Sequence, residues 1–185
     1  MSLFTPDKQP LSRRSERIFE LVLFAMLGTL MFCSQIVMAA LPNIHIVGVL
    51  TIVYTVVFRA RALIPIYIYV FLIGLWNGFA TWWLSYLYAW AILWALTMLI
   101  PRKLPTAVAA VVYPILCALH GLSFGALTAP AWALFMGLDW NGMLLSVAAG
   151  FTFDLLHTAG NCLAGLLILP LSQLLGRLVV KKGMR

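Results

Sequence analysis

Three polar side chains share one stripe of an otherwise apolar stretch near the end of the chain. Asp154, His157 and Asn161 are spaced three and four residues apart, so in a helix they fall within an arc of ~60°. At the centre of a bilayer a carboxylate costs roughly 2.5–3.5 kcal/mol on insertion scales, so Asp154 should face protein or a water-filled cavity. The stripe therefore predicts a site that hydrogen-bonds a small polar ligand.

The same stripe has two other interpretations. In the structural one, Asp154 accepts backbone N–H bonds at the start of its helix and Asn161 hydrogen-bonds between helices, which is compatible with ligand binding. In the other, Asp154 and His157 bind a metal ion. They supply only two ligands, and no spacing ties His120 to them as a third. We therefore expect no metal ion and no cofactor.

The elements that must position this stripe are membrane-spanning helices. The chain has 185 residues, 64% hydrophobic and 9% charged, whereas soluble domains carry about 25% charged residues. A crossing helix needs about 20 apolar residues, and the apolar runs predict six of them, near residues 18–40, 44–58, 62–79, 84–100, 106–127 and 151–175. We expect an all-α integral membrane protein, with a six-helix transmembrane domain at 18–175 between basic tails at 1–17 and 176–185.

The distribution of basic residues predicts the orientation of these helices. All twelve Lys and Arg residues fall in the two tails or in the turns after the second and fourth helices, and such residues favour the cytoplasmic side. Six crossings then place both termini in the cytoplasm, whereas an odd number would break the segregation. The net charge of +7 is explained in this way and does not indicate a nucleic-acid partner.

With that orientation, the polar stripe lies in the outer half of the sixth helix. The outer connections include an aromatic loop, with or without a short interfacial helix, predicted at Thr128–Gly142. These connections and the neighbouring helix ends place ten residues near the stripe: Pro42, Asn43, His45, Asn77, Trp82, Trp83, Trp132, Asp139, Trp140 and Asn141. Among them, the further candidate ligand contacts are Asn43, Trp82, Trp83 and Trp140. The aromatic lining and the single carboxylate favour a flat heteroaromatic ligand with hydrogen-bond donors, or a corrinoid-type fragment, over a polyanion. The sequence does not identify the ligand further.

Small residues on the first helix form a second pattern. Ala25, Thr29 and Cys33 are spaced four residues apart, with Gly28 beside them. Such spacing lets helices approach closely, either within the protein or against another membrane subunit. We expect Ala25, Gly28 and Thr29 to form a partner-docking surface, with internal packing as the alternative.

Motifs of common enzymes are missing from the sequence. There is no GxxxxGK[ST] phosphate-binding loop, no HExxH zinc motif, and no Ser or Cys with an assignable base. We expect a protein that is not an enzyme.

Three segments together resemble a known family. They are Ala40–Ile44 (ALPNI), Thr51–Phe58, and Gly150–Asn161 with its FDxxHxxGN pattern. In a six-helix protein of this size, they resemble the S components of energy-coupling factor (ECF) transporters. The resemblance covers most of the chain, from the first helix to the sixth.

The resemblance implies a function that composition cannot. S components capture micronutrients, often vitamins, at an outward-facing site in the cell membrane of prokaryotes. They dock on a transmembrane coupling subunit driven by two ATPase subunits, through an Ala-xxx-Ala surface of the first helix. The matching positions here are Ala25 and Thr29, where Thr29 departs from the pattern. The alternative from another class is a structural membrane protein that scaffolds a membrane assembly.

Overall fold

The computed structural model describes residues 13–41 and 44–181, and every regular element in this part of the chain is helical. A 3-10 helix at Arg59–Ala62 joins the second and third α-helices. The α-helices are α1 Arg13–Val37, α2 Val47–Phe58, α3 Leu63–Asn77, α4 Thr81–Leu99, α5 Thr106–Leu122, α6 Phe124–Met136, α7 Trp140–Gly165 and α8 Ile168–Lys181.

Five helical segments of the described chain are long and apolar enough to cross a membrane. They are Arg14–Val37, Val47–Asn77, Thr81–Leu99, Thr106–Met136 and Trp140–Gly165, and a shorter apolar helix, Ile168–Val179, follows them. Two of the five contain more than one helix, because only the 3-10 helix separates α2 from α3 and only Ser123 separates α5 from α6. The prediction of an all-α protein with the helices of a multi-pass membrane protein is confirmed at this level.

α2 runs antiparallel to α1. The Tyr54 hydroxyl donates to the Leu27 carbonyl oxygen at 3.1 Å, and one turn further along α2 the Phe58 ring packs edge-on against Phe24, 5.1 Å between centroids. α2 ends at Phe58, and the next residue, Arg59, has a φ of 56°, the one positive value at a non-glycine residue in the described chain. The chain therefore leaves the helical path at this residue.

α3 returns beside α1 and runs parallel to it. Arg61, just before α3, pairs with Glu20 near the start of α1, and Trp76 at the far end of α3 packs against Phe32. Between them, Gly28 lies so close to α3 that a Cβ would come within 2.8 Å of a carbonyl oxygen. The segment Val47–Asn77 is thus folded back on itself at Arg59.

Arg59 also fixes the end of α4. Its guanidinium donates to the Met98 carbonyl oxygen at 2.7 Å, and the Trp94 indole N–H donates to the Arg59 carbonyl oxygen at 3.0 Å. Further cations, Arg61, Arg102 and Lys103, lie around one cavity here. We call this the basic end of the bundle.

α5 and α6 together run antiparallel to α7 in close contact. Near the basic end, a Cβ on Gly165 of α7 would approach the Pro114 Cα of α5 to 2.8 Å. Towards the opposite end, the Gly125 N–H donates to the Asp154 carboxylate. Glycines at these positions allow the close approach that such contacts require. α7 and α5 consequently hold the predicted polar stripe inside the bundle.

The prediction of a loop throughout Thr128–Gly142 is wrong, because most of this segment is helical. α6 continues to Met136, and only residues 137–139 separate it from α7. Gly137, with a φ of 64°, ends α6, and the Asp139 carboxylate accepts the Gly142 N–H at 2.7 Å to begin α7. A left-handed glycine and an N-capping aspartate are sufficient for this short turn.

The predicted start of the sixth helix near residue 151 is also wrong. α7 is continuous from Trp140 to Gly165, and a single glycine inside a helix costs only about 1 kcal/mol relative to alanine. The predicted helix boundary at residue 151 therefore does not exist, and Asp154 lies within α7 rather than at its start.

Candidate functional site

Five rings from separate parts of the chain meet inside the bundle, and we call them the imidazole cluster: His45, Trp90, His120, Phe124 and His157. The centroids of His45 and His157 are 4.8 Å apart, and those of Trp90 and His120 are 5.5 Å apart. Phe124 lies between the two histidines on α5 and α7, 5.8 Å from His120 and 5.1 Å from His157. His45, in the connection before α2, completes the cluster.

Several polar atoms of this cluster are buried without a hydrogen-bond partner among the described residues. They are His45 Nδ1, His120 Nδ1, His157 Nε2 and Trp90 Nε1, with Asn161 Oδ1 beside them. Because an unpaired buried polar atom costs about 1–3 kcal/mol, a concentration of them in one place marks a candidate position for a ligand or for bound water.

His120 shows which chemistry the cluster presents. Its Nε2 is 3.1 Å from the Ala89 carbonyl oxygen, which can only accept a hydrogen bond, so Nε2 carries the proton. The buried Nδ1 is therefore an acceptor. The neighbouring Trp90 indole N–H is a donor by its chemistry. The cluster thus offers both an acceptor and a donor between aromatic faces.

A cavity of about 440 Å³ opens at the end of the bundle opposite the basic end. Its lining comes from α1, α3, α4 and α6: Gln35, Asn77, Thr81, Trp82, Ser85, Tyr86, Phe124, Thr128 and Trp132. Tyr86 and Phe124 belong to both regions, since the Tyr86 ring packs on Trp90 at 5.6 Å and Phe124 is a member of the imidazole cluster. We call this space the aromatic cavity, and its size is in the range of small-molecule sites.

A chain of side-chain hydrogen bonds crosses the wall of the aromatic cavity. The Tyr69 hydroxyl donates to Gln35 Oε1, and Gln35 Nε2 donates to the Tyr86 hydroxyl at 3.5 Å. α1, α3 and α4 are therefore joined at this end by one glutamine. Its amide is a polar group of the cavity that can exchange partners with a ligand.

The predicted stripe on α7 is buried, and its residues have different surroundings. Asp154 is 6% exposed, and its Oδ1 accepts the Gly125 N–H at 3.0 Å in the first turn of α6. The amide groups of a first turn have no helical partner, so a carboxylate satisfies both the hydrogen bond and the helix dipole. Asp154 does not line the aromatic cavity, and this geometry favours its structural interpretation.

His157 and Asn161 lie deeper along the same face of α7. His157 is a member of the imidazole cluster, whereas the Asn161 amide donates to the Cys117 carbonyl oxygen at 3.0 Å. Asn161 therefore joins α7 to α5, while its Oδ1 stays unpartnered among the described residues.

Of the other predicted ligand contacts among the described residues, only Trp82 lines the aromatic cavity. Trp83 does not, because its indole N–H donates to the Val70 carbonyl oxygen at 2.8 Å and its ring packs on Phe79. Trp140 is 68% exposed at the start of α7 and does not line the cavity. The prediction for Asn43 lies outside the described residues.

The predicted docking residues also separate. Ala25, Thr29 and Cys33 are exposed on one face of α1, whereas Gly28 is buried against α3. The inclusion of Gly28 in the docking surface is therefore corrected: its missing side chain is required for packing inside the protein.

Sequence reasoning missed most of the imidazole cluster. His45 was expected only among the residues near the outer end of the stripe, Trp90 was not expected at the site, and His120 was considered only as a third metal ligand. No group of three residues that could hold a metal ion is found in the described part of the chain. A histidine inside an apolar run is the available signal, but nothing in the spacing of these residues shows that they meet.

Comparison with known proteins adds no relative: no family model, no curated protein and no solved structure matches this chain.

Proposed function

We propose that this chain is the substrate-capture subunit of an ATP-driven ECF-type transporter, in which it binds a small micronutrient such as a vitamin or vitamin precursor. The observation that carries the proposal is the aromatic cavity, because two of its lining residues connect it to the imidazole cluster: Tyr86 packs on Trp90, and Phe124 packs on His157. A pocket that combines aromatic walls with a few buried polar groups is the usual form of a small-molecule site.

The proposal includes six crossings, with both termini in the cytoplasm. It is supported by the fold-back at Arg59, which divides the segment Val47–Asn77 into two antiparallel passes. It is also supported by α8, which continues from α7 and reaches the cavity at the basic end through Val179. Since basic residues favour the cytoplasmic side, the aromatic cavity faces outward in this arrangement.

The chemistry of the site favours a flat heteroaromatic ligand. Its ring would stack on Tyr86 and Phe124, and its polar edge would exchange hydrogen bonds with the amide of Gln35. Access to the imidazole cluster requires Phe124 to turn aside, because this ring lies between the aromatic cavity and His157. There the acceptor of His120 and the donor of Trp90 would complete recognition of the ligand.

The transport partners are a transmembrane coupling subunit and two ATPase subunits in the cell membrane of a prokaryote. The support is the resemblance described above, together with the absence of a nucleotide-binding motif from this sequence. The exposed small residues Ala25 and Thr29 on α1 offer the docking face. Close approach of a partner helix at such positions gives extensive van der Waals contact.

The deciding experiment identifies the ligand and then blocks its site. Small molecules that co-purify with the protein are identified by mass spectrometry, and the affinity of the identified compound is measured by isothermal titration. Thr81 lines the aromatic cavity, so the larger side chain of Thr81→Trp occupies part of it. Ala80→Trp adds the same ring one residue away, at an exposed position outside the lining.

We expect Thr81→Trp to weaken binding by more than about tenfold, equivalent to 1.4 kcal/mol, while Ala80→Trp binds as the wild type does. Equal binding by both variants would remove the aromatic cavity from the proposal. A protein that carries no compound, and that no vitamin stabilises in a thermal-shift screen, would favour the scaffold function instead.

A further inference from the structure

A second cavity, of about 560 Å³, lies at the basic end of the bundle. It is enclosed by α1, by the end of α2 with the following 3-10 helix, by the turn after α4, and by α8. Its polar lining consists of Glu20, Arg61, Arg102, Lys103 and Ser172. This basic cavity lies at the opposite end from the aromatic cavity and has no role in the function proposed above.

The charges around the basic cavity are unbalanced. Glu20 pairs with Arg61 at 2.5 Å between carboxylate oxygen and guanidinium nitrogen. Arg102 and Lys103 form no ion pair within the described part of the chain. The lining therefore has an excess of two positive charges, which favours an anionic ligand.

A buried hydroxyl group gives an independent indication of a ligand. Ser172 on α8 is 7% exposed and lines the cavity, yet its Oγ has no hydrogen-bond partner among the described residues. A serine in a helix can usually donate to the carbonyl four residues earlier. An unpaired Oγ in the cavity wall is therefore available to a ligand oxygen.

The remaining wall is apolar, which distinguishes between possible anions. Leu23, Phe24, Val57 and Val179 line the same space. A soluble anion would leave these side chains without a partner, whereas a phospholipid presents a phosphate and an acyl chain side by side. Basic pockets at the ends of transmembrane helices recognise anionic lipid headgroups by this combination.

We propose that the basic cavity binds the phosphodiester headgroup of an anionic phospholipid. The phosphate lies between Arg102, Lys103 and the part of the Arg61 guanidinium that does not bind Glu20. An oxygen of the lipid accepts a hydrogen bond from Ser172. The upper part of the acyl chains packs on the apolar wall. An anionic phospholipid would interact with both the positive charges and the apolar wall. A soluble phosphate would interact with the charges alone.

The first test compares charge variants in lipid nanodiscs. Bound phosphatidylglycerol is counted by native mass spectrometry for the wild type, for Arg102→Gln with Lys103→Gln, and for the control Arg17→Gln with Arg177→Gln. The control removes the same charge from exposed positions that do not line the cavity. At about fivefold per cation, we expect about 25-fold weaker binding in the cavity variant and little change in the control.

The second test blocks the cavity without changing its charge. Gly176 lines the cavity, and a Cβ there would meet no atom within 4 Å, so Gly176→Leu should fold normally and occupy the lipid's space. We expect Gly176→Leu to retain no phosphatidylglycerol at this site. Phosphatidylcholine should bind there neither in the wild type nor in Gly176→Leu. If the two charge variants, in the cavity and in the control, lost bound phosphatidylglycerol equally, the lipid would be attracted by the general surface charge. That result would overturn the proposed site. Displacement of the lipid by inorganic phosphate would overturn the choice of a lipid.

Discussion

Replacing Asp154 with alanine should destabilise the bundle more than replacing it with asparagine. The carboxylate is 6% exposed and accepts the Gly125 N–H at 3.0 Å. A hydrogen bond to a charged group contributes about 1.5–3 kcal/mol, and a buried donor left unpaired has a similar cost. We expect Asp154→Ala to lower the free energy of unfolding by about 2–3 kcal/mol, and Asp154→Asn, which keeps an oxygen acceptor, by about 1 kcal/mol.

The assay is unfolding by sodium dodecyl sulfate, followed by tryptophan fluorescence, with ligand affinity measured on the same samples. Asp139→Ala is the comparison: it removes an exposed N-cap of α7, worth typically about 1 kcal/mol. If Asp154 acts by holding α6, Asp154→Ala lowers the free energy of unfolding, and the ligand affinity of the folded protein changes little. Wild-type stability in Asp154→Ala, with ligand binding abolished, would refute this reasoning and make the carboxylate a direct ligand contact.

Three further predictions concern helix contacts. Gly165→Ala should lower the free energy of unfolding by about 1–3 kcal/mol, measured in the same way, because the added methyl group meets the backbone at Pro114. Gly28→Ala should destabilise the protein because it meets α3, whereas Thr29→Ala, on the exposed face, should not; equal effects would contradict the assignment of faces. Ala25→Leu combined with Thr29→Leu should keep ligand affinity but prevent co-purification of a coupling subunit, and loss of ligand binding would show that these residues pack internally.

The periodicity of α7 could be predicted because it is local. A helix places every third or fourth residue on one side, so Asp154, His157 and Asn161 share a face whatever surrounds them. All three are buried. The cost of exposing polar groups to hydrocarbon is enough to predict this.

The partners of these residues could not be predicted in the same way. Asp154 binds an amide 29 positions earlier, and Asn161 binds a carbonyl group 44 positions earlier. Such contacts depend on how α5 and α6 align along α7, which the close approach at Gly121, Gly125 and Gly165 determines. The imidazole cluster depends on several such alignments at once, because its rings come from α4, α5, α6, α7 and the connection before α2.

The loop predicted at Thr128–Gly142 was wrong for a related reason. Pro130 and Gly137 suggest a break in the chain, but Pro130 lies inside α6 and only Gly137 ends it. In a membrane protein, neighbouring helices can satisfy the carbonyl groups that a proline leaves free. The composition of the segment therefore gave the wrong boundary.

The two ends of the bundle differ in how their polar groups are paired. At the basic end, Arg59 and Trp94 bind main-chain carbonyl groups, which no solute can replace without distorting a helix. At the opposite end, Gln35 joins Tyr69 and Tyr86 by side chains alone, and these can rotate about single bonds. The amide or hydroxyl group of a ligand can replace each of these hydrogen bonds. The side chains around the aromatic cavity can therefore rearrange while the helices at the basic end keep their positions.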